Sequence, residues 1–168
     1  MIKKPEAMPD YCRYYVNLAK ENDLIESLKN SRDMTVKLLS AVPHAKEDYS
    51  YAPGKWTVKQ LVSHLADCER IYLYRALRFS RKDDTQLPGF EENDYAVNAN
   101  IENRTLKDLT EEYRLIRESG IVLFSHMTEE MLDYSGIANN VFYAPRSLGW
   151  MAAGHNIHHC NILKERYL

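Results

Sequence analysis

Only three cysteines occur in 168 residues: Cys12, Cys68 and Cys160. They are odd in number, widely spaced and form no CxxC pair. A disulfide framework is not expected, and the pattern suits a reducing compartment. Glycine and proline are also scarce, six of each, and they cluster between periodic stretches. Such sparse punctuation favours long helices joined by distinct loops over a many-stranded fold. Charge nearly cancels, at −2, and this balance does not suggest wrapping around nucleic acid. No apolar run approaches the ~18 residues that a membrane span needs. No basic head, apolar run and small-residue cleavage site opens the sequence. These absences predict a cytoplasmic protein with no nucleic-acid or membrane partner. What is present is an ordinary globular composition, 45% hydrophobic and 27% charged, at a length suited to one domain with its own core.

The expected single domain spans residues 1–168, with 1–9, containing Pro5 and Pro9, as a loose lead-in. Asp10 is placed to cap a short helix from Tyr11 to about Leu18, whose tyrosines call for a packing partner. A first long helix is expected from about Asp23 to Ala41. Leu24, Leu28, Ser31, Thr35, Leu38 and Val42 form its stripe, and Pro43 ends it. After the Pro53-Gly54 turn, Thr57 is a candidate N-cap for a helix reaching Ser80. Its inward stripe is Leu61, Leu65, Cys68, Tyr72, Ala76 and Phe79. Residues 82–104 form the longest connection, with a short helix between Glu91 and Ala99. Long connections in compact domains often cover functional sites. A third long helix runs from about Thr105 to His126. There Leu106, Leu109, Tyr113, Ile116, Gly120, Leu123 and Met127 recur in threes and fours, the pattern of a bundle seam. Residues 128–146 read as a connection, in which Val141 to Tyr143 is briefly extended without making a sheet. Ser147 is placed to cap the last helix, which carries Leu148, Met151, Ala152, His155, His159 and Ile162 on one face. The sum is an all-α four-helix bundle with long crossover connections.

Three of the six histidines fall at 155, 158 and 159. Residues four apart on a helix share a face, so His155 and His159 project together, one turn apart. Two imidazoles at that spacing can bind one metal ion. His64 lies in line with Leu61, Cys68 and Ile71 and is the candidate third ligand from a facing helix. Three protein ligands leave a coordination position open, which is the arrangement of a catalytic site. His158 reads as a flank or second-shell partner, and Asp67, Tyr72, Arg75 and Tyr143 as pocket or second-shell candidates. No glutamate lies in the stretch, so this is not the HExxH pattern. Each histidine also has a plainer reading as a satisfied core or boundary residue. Cys68 reads as a buried small hydrophobe rather than a fourth ligand. Cys160 points about 100° away from His159, against a Cys-His nucleophile.

The segments KWTVKQLVSHLADCER (55–70) and GHNIHHCNIL (154–163) resemble the DinB family, named for damage-inducible bacterial proteins. The resemblance rests on the order Trp-Thr, His-Leu-x-Asp, then a late His-x-x-x-His. It extends through the Pro-Gly-Phe loop and the third helix with Glu111, Glu112 and Arg117. It implies a four-helix bundle with a metal-binding histidine triad, which maps to His64, His155 and His159. Members of the family include bacillithiol-, mycothiol- or glutathione-dependent thiol S-transferases and thiol-dependent isomerases.

The resulting expectation is one divalent transition metal, zinc or nickel, with iron a further option. The partners would be a small-molecule thiol and an electrophilic substrate, and the activity a metal-dependent thiol S-transfer. In that role Arg75 or Lys55 would bind a carboxylate of the thiol. Two rivals stand beside it. One is a metal-dependent hydrolase with Asp67 or Glu69 as general base. The other is a non-catalytic metal-binding stress-response module. Twelve tyrosines also supply interface material for a homodimer.

Overall fold

The structure is a computed structural model describing residues 1–168. Helix α1 (Asp10–Leu18) is followed by α2 (Leu24–Ser40), α3 (Val58–Ser80), α4 (Glu92–Asn98), α5 (Leu106–Ser125) and α6 (Glu129–Asp133). A short hairpin, β1 (Gly136–Ala138) and β2 (Val141–Tyr143), precedes α7 (Pro145–Ile162). The chain ends in a π-helical turn, Leu163–Tyr167.

Helix starts follow local chemistry. Thr57 and Gln60 form a capping box at α3: the Thr57 hydroxyl accepts from the Gln60 N–H at 3.1 Å, and Gln60 Oε1 accepts from the Thr57 N–H at 2.9 Å. Thr105 and Asp108 do the same at α5. Each box satisfies N–H groups that a helix start leaves without partners. Asp23 caps α2 by accepting from the Glu26 N–H.

The long helices α2, α3, α5 and α7 close into a ring in which α2 and α3 each pack against both α5 and α7. Helices α2 and α3 are consecutive among the four, yet they do not pack side by side. The same holds for α5 and α7. The chain therefore crosses the bundle at residues 41–57 and again at 126–144, whereas the longest connection, 81–105, joins two neighbours. Helix α1 packs on α7 as a fifth layer.

Several sequence expectations need correction. Residues 1–9 are tied down. The Ile2 N–H donates to Asp23 Oδ1, its carbonyl accepts from the Leu24 N–H, and Lys4 Nζ donates to the Ala19 carbonyl. Asp10 lies inside α1, whose N-cap is Pro9 with no side-chain cap. The last helix begins at Pro145 after Ala144, not at Ser147. Proline suits that first position because its missing N–H would be unpaired anyway. Residues 136–143 do form a sheet, an antiparallel pair with Gly136 opposite Tyr143. Helix α6 was not anticipated. In the last turn of α2 the buried leucine is Leu39 rather than Leu38. Helix α7 does not have a single apolar face: it is buried almost all round, because α1, α2 and α3 all pack on it.

The apolar interior is split in two. One cluster gathers Leu24, Leu28, Cys68, Tyr72, Phe124, Leu148 and Trp150. The other gathers Leu39, Leu61, Leu65, Leu109, Tyr113 and Leu163. Between them in each helix lie buried polar residues: Ser31 and Thr35 on α2, Glu69 on α3, Arg117 on α5, and His155, Asn156 and His159 on α7. This polar layer crosses the middle of the bundle, and the histidine site stands in it.

Candidate metal centre

His64 from α3 meets His155 and His159 from α7. The Nε2 atoms of His64 and His155 are 3.2 Å apart, and those of His155 and His159 are 3.1 Å apart. One ligand atom from each residue lies within 4.8 Å of the others. All three side chains are buried. Desolvation penalises the charged imidazolium. Burial pushes the His64 pKa down to about 4. Burial, with His64 and His158 nearby, pushes His159 down to about 3. His155 is held well below its ordinary value by burial and then by His159 and His64. All three are neutral at pH 7, the state that offers lone pairs to a metal.

The donor set fits a metal ion better than it fits a hydrogen-bonded cluster. His155 Nε2 faces two other Nε2 atoms. A neutral imidazole nitrogen is either one donor or one acceptor, so it makes at most one good hydrogen bond there. Three nitrogens at ~2.0–2.1 Å from one ion in tetrahedral directions stand ~3.3 Å apart, close to the two spacings that His155 makes with His64 and His159. His159 Nδ1 is buried and has no partner; the second hydrogen bond that ligating histidines usually make is missing at this residue.

Aromatic rings wall the site. Trp56 lies 4.5 Å from His64 between ring centroids, Tyr15 5.5 Å from His155, and Tyr72 5.9 Å from His155. His158 flanks His159, and its Nδ1 is 3.0 Å from the Tyr14 hydroxyl. On the open side a cleft of about 250 Å³ reaches His159, lined among others by Tyr51, Lys55, Trp56, Glu92, Asn93 and Tyr167. A larger hollow of about 640 Å³ beside residues 1–7 and Arg146 contains none of the histidines. The chemistry favours the smaller cleft.

The other sequence candidates lie as follows. Tyr72 is at the site. Arg75 and Tyr143 pair with each other instead: the guanidinium sits 5.8 Å from the Tyr143 ring and donates to the Pro88 carbonyl, anchoring the 81–105 connection. Asp67 is half-buried and faces Arg70 at 3.5 Å, with Glu112 nearby. It does not orient an imidazole. Glu69 is bound to Arg117 and is not free to act as a base. Cys68 Sγ is 3.6 Å from His64 Nε2, and burial pushes its thiol pKa up. Cys160 turns into the bundle toward Thr35, 3.2 Å away. Sequence reasoning missed Tyr15, Tyr51 and Glu92 and used Trp56 only as part of the Trp-Thr motif. Trp56 stands just before the Thr57 N-cap, outside α3, so helical spacing does not bring it to His64 and no local pattern marks its place. Nothing local marks the other three.

A ring of four long helices with three inward imidazoles defines a helical-bundle protein with a candidate metal centre. The family model of the DinB superfamily matches residues 27–163, and the chain belongs to that superfamily. A protein of Oceanobacillus iheyensis, described as a candidate metal-dependent hydrolase, is 29% identical over 112 residues. The match takes in 66% of this chain and 62% of that protein, so the chain spans under two thirds of this relative's length. YfiT from Bacillus subtilis, described as a candidate metal-dependent hydrolase with an unusual four-helix-bundle topology, shares the fold. Its TM-score is 0.77 at 15% identity, covering 97% of this chain and 90% of that one.

Proposed function

We propose that the protein is a metal-dependent hydrolase whose ion is held by His64, His155 and His159. The observation that carries this is the convergence of three buried, neutral imidazoles on one point beside an open cleft. A divalent ion in such a site supplies Lewis acidity and lowers the pKa of a nucleophile such as water. The chain's own residues do the rest. Trp56, Tyr15 and Tyr72 exclude bulk water from the imidazoles. Glu92, in the same cleft as His159, accepts the proton that the attacking water loses, because Glu69 and Asp67 are engaged elsewhere. Lys55 at the cleft mouth offers a cation to an anionic part of the substrate.

The test is elemental analysis of purified, metal-reconstituted protein, followed by hydrolysis assays on an ester and phosphoester panel. About one equivalent of zinc, nickel or iron is expected, lost in His64→Ala and His155→Ala, with turnover that disappears with the metal. A wild type that takes up no metal after reconstitution rules the reading out.

One observation favours thiol transfer as a second reading. No carboxylate hydrogen-bonds to any of the three imidazoles, and a thiol, with its lower pKa, needs a base less than water does. Under that reading the loaded protein consumes an electrophile such as monobromobimane only when a low-molecular-weight thiol is added, and Glu92→Gln has little effect.

A further inference from the structure

Arg117 is 0% exposed, and every one of its five N–H donors has an acceptor. Nε and one terminal nitrogen grip the two oxygens of Glu69 at 2.6 and 2.9 Å. That terminal nitrogen also donates to the Ala152 carbonyl at 3.0 Å. The other donates to the Ser31 hydroxyl at 2.6 Å and the Leu28 carbonyl at 3.2 Å. One side chain on α5 thus bonds to α2, α3 and α7 together. Glu69 lies five residues after His64, and Ala152 three before His155. Ser31, Glu69 and Arg117 belong to the polar layer that separates the two apolar clusters, and the Leu28 and Ala152 carbonyls meet it from the edge of one cluster.

We infer that Arg117 is a positioning residue for the histidine site. Its fork on Glu69 and its bond to Ala152 lock α3 against α7 in the register that brings His64 to His155 and His159. Apolar contacts alone set such a register weakly, because methyl groups slide past one another at little cost. A fully satisfied buried polar network has one good arrangement and heavy penalties for the others. The site needs that discrimination. A slip of one residue moves a side chain ~1.5 Å along the axis and turns it ~100°, and either change separates nitrogens now 3.2 Å apart. The network also matters for charge. Glu69 sits against the guanidinium and offsets part of the positive charge that His155 feels from Arg117.

The zinc readout rests on the metal reading proposed above; a second readout does not. Zinc affinity is measured by competition with a chromophoric chelator for wild type, Arg117→Lys and the double variant Glu69→Leu/Arg117→Met. Contacts between the His64 and His155 ring protons are followed by nuclear Overhauser effects in the metal-free proteins. Arg117→Lys keeps the charge and loses the fork, and a tenfold or greater loss of affinity is expected. The double variant removes both charges, so it folds, yet it is expected to keep the weak affinity and to lose the ring contact. Wild-type affinity within twofold, with the ring contact retained in the double variant, overturns the inference and leaves the network a role in stability alone. If wild type binds no zinc, the metal reading fails, and the ring contact still decides the role of Arg117.

Discussion

Neutral imidazole is the form that ligates metal, and here burial enforces it. The sign of the pH effect follows. An unfolded histidine takes up a proton near pH 6.5, whereas folded His64 and His159 resist until about 4 and about 3. Between those limits the unfolded chain binds more protons, so stability falls as pH drops. Their contribution is intact above pH 6.5 and is lost progressively toward pH 3. Urea midpoints in chelator at pH 7.5, 5.5 and 4.5 should show this decline, with a shallower slope in His64→Gln. Glu92 is tested at the same scale. Glu92→Gln should retain about one equivalent of metal and lose hydrolytic rate by about 10²-fold, the lower range for removing a positioned acid or base. An unchanged rate in a loaded, active protein removes Glu92 from the chemistry.

Among the elements, α7 carries two of the three histidines and is packed on three sides, so its neighbours set the geometry of the site. The close approach of α1 depends on Gly154. A methyl group there would stand 1.9 Å from the Tyr15 backbone carbonyl oxygen, and backbone cannot swing aside as a flexible side chain does. Gly154→Ala should destabilise the fold by about 3 kcal/mol and push α1 outward, although alanine is the better helix former. Chemical denaturation measures the first effect. Loss of the nuclear Overhauser contact between the Tyr15 and His155 rings would report the opening of the Tyr15 wall. The lead-in has a related role: Lys3 offers its carbonyl to the buried Trp150 indole N–H at 3.0 Å, which braces α7 near its start.

For the molecule as a whole, the polar layer divides an interior that would otherwise be one apolar core. Three unprotonated imidazoles and a buried ion pair cost desolvation energy, and a metal ion offsets part of that cost. Binding to the native state alone stabilises it by ~2.7 kcal/mol at a free concentration 100 times Kd. For a chain of this size that corresponds to about 5–10 °C in Tm. Calorimetry should therefore show the midpoint rising on addition of zinc or nickel and falling with chelator. The increment should be absent in His155→Ala. A midpoint indifferent to metal in wild type would leave the histidines as core residues.

The four long helices, and where most of them begin, were legible in the residues alone, because periodicity and a cap such as Thr57 act within a few residues. The sequence also marked His155 and His159 as a pair, since their spacing is a property of one helix, and offered His64 as a third ligand from its place beside the α3 stripe, which the family resemblance supported. Which helices are neighbours follows from the packed fold, because α2 with α3 and α5 with α7 are separated by crossings that no local pattern encodes. The fold alone assigned the charged groups. In sequence Asp67 and Glu69 were equal candidates for a base and Arg117 had no assigned partner, yet Glu69 and Arg117 are buried partners and Asp67 faces Arg70 near the surface. Tyr15 from α1 stands against His155, and Glu92 from α4 lines the cleft that reaches His159; both are distant in sequence and come to these places only when the bundle closes.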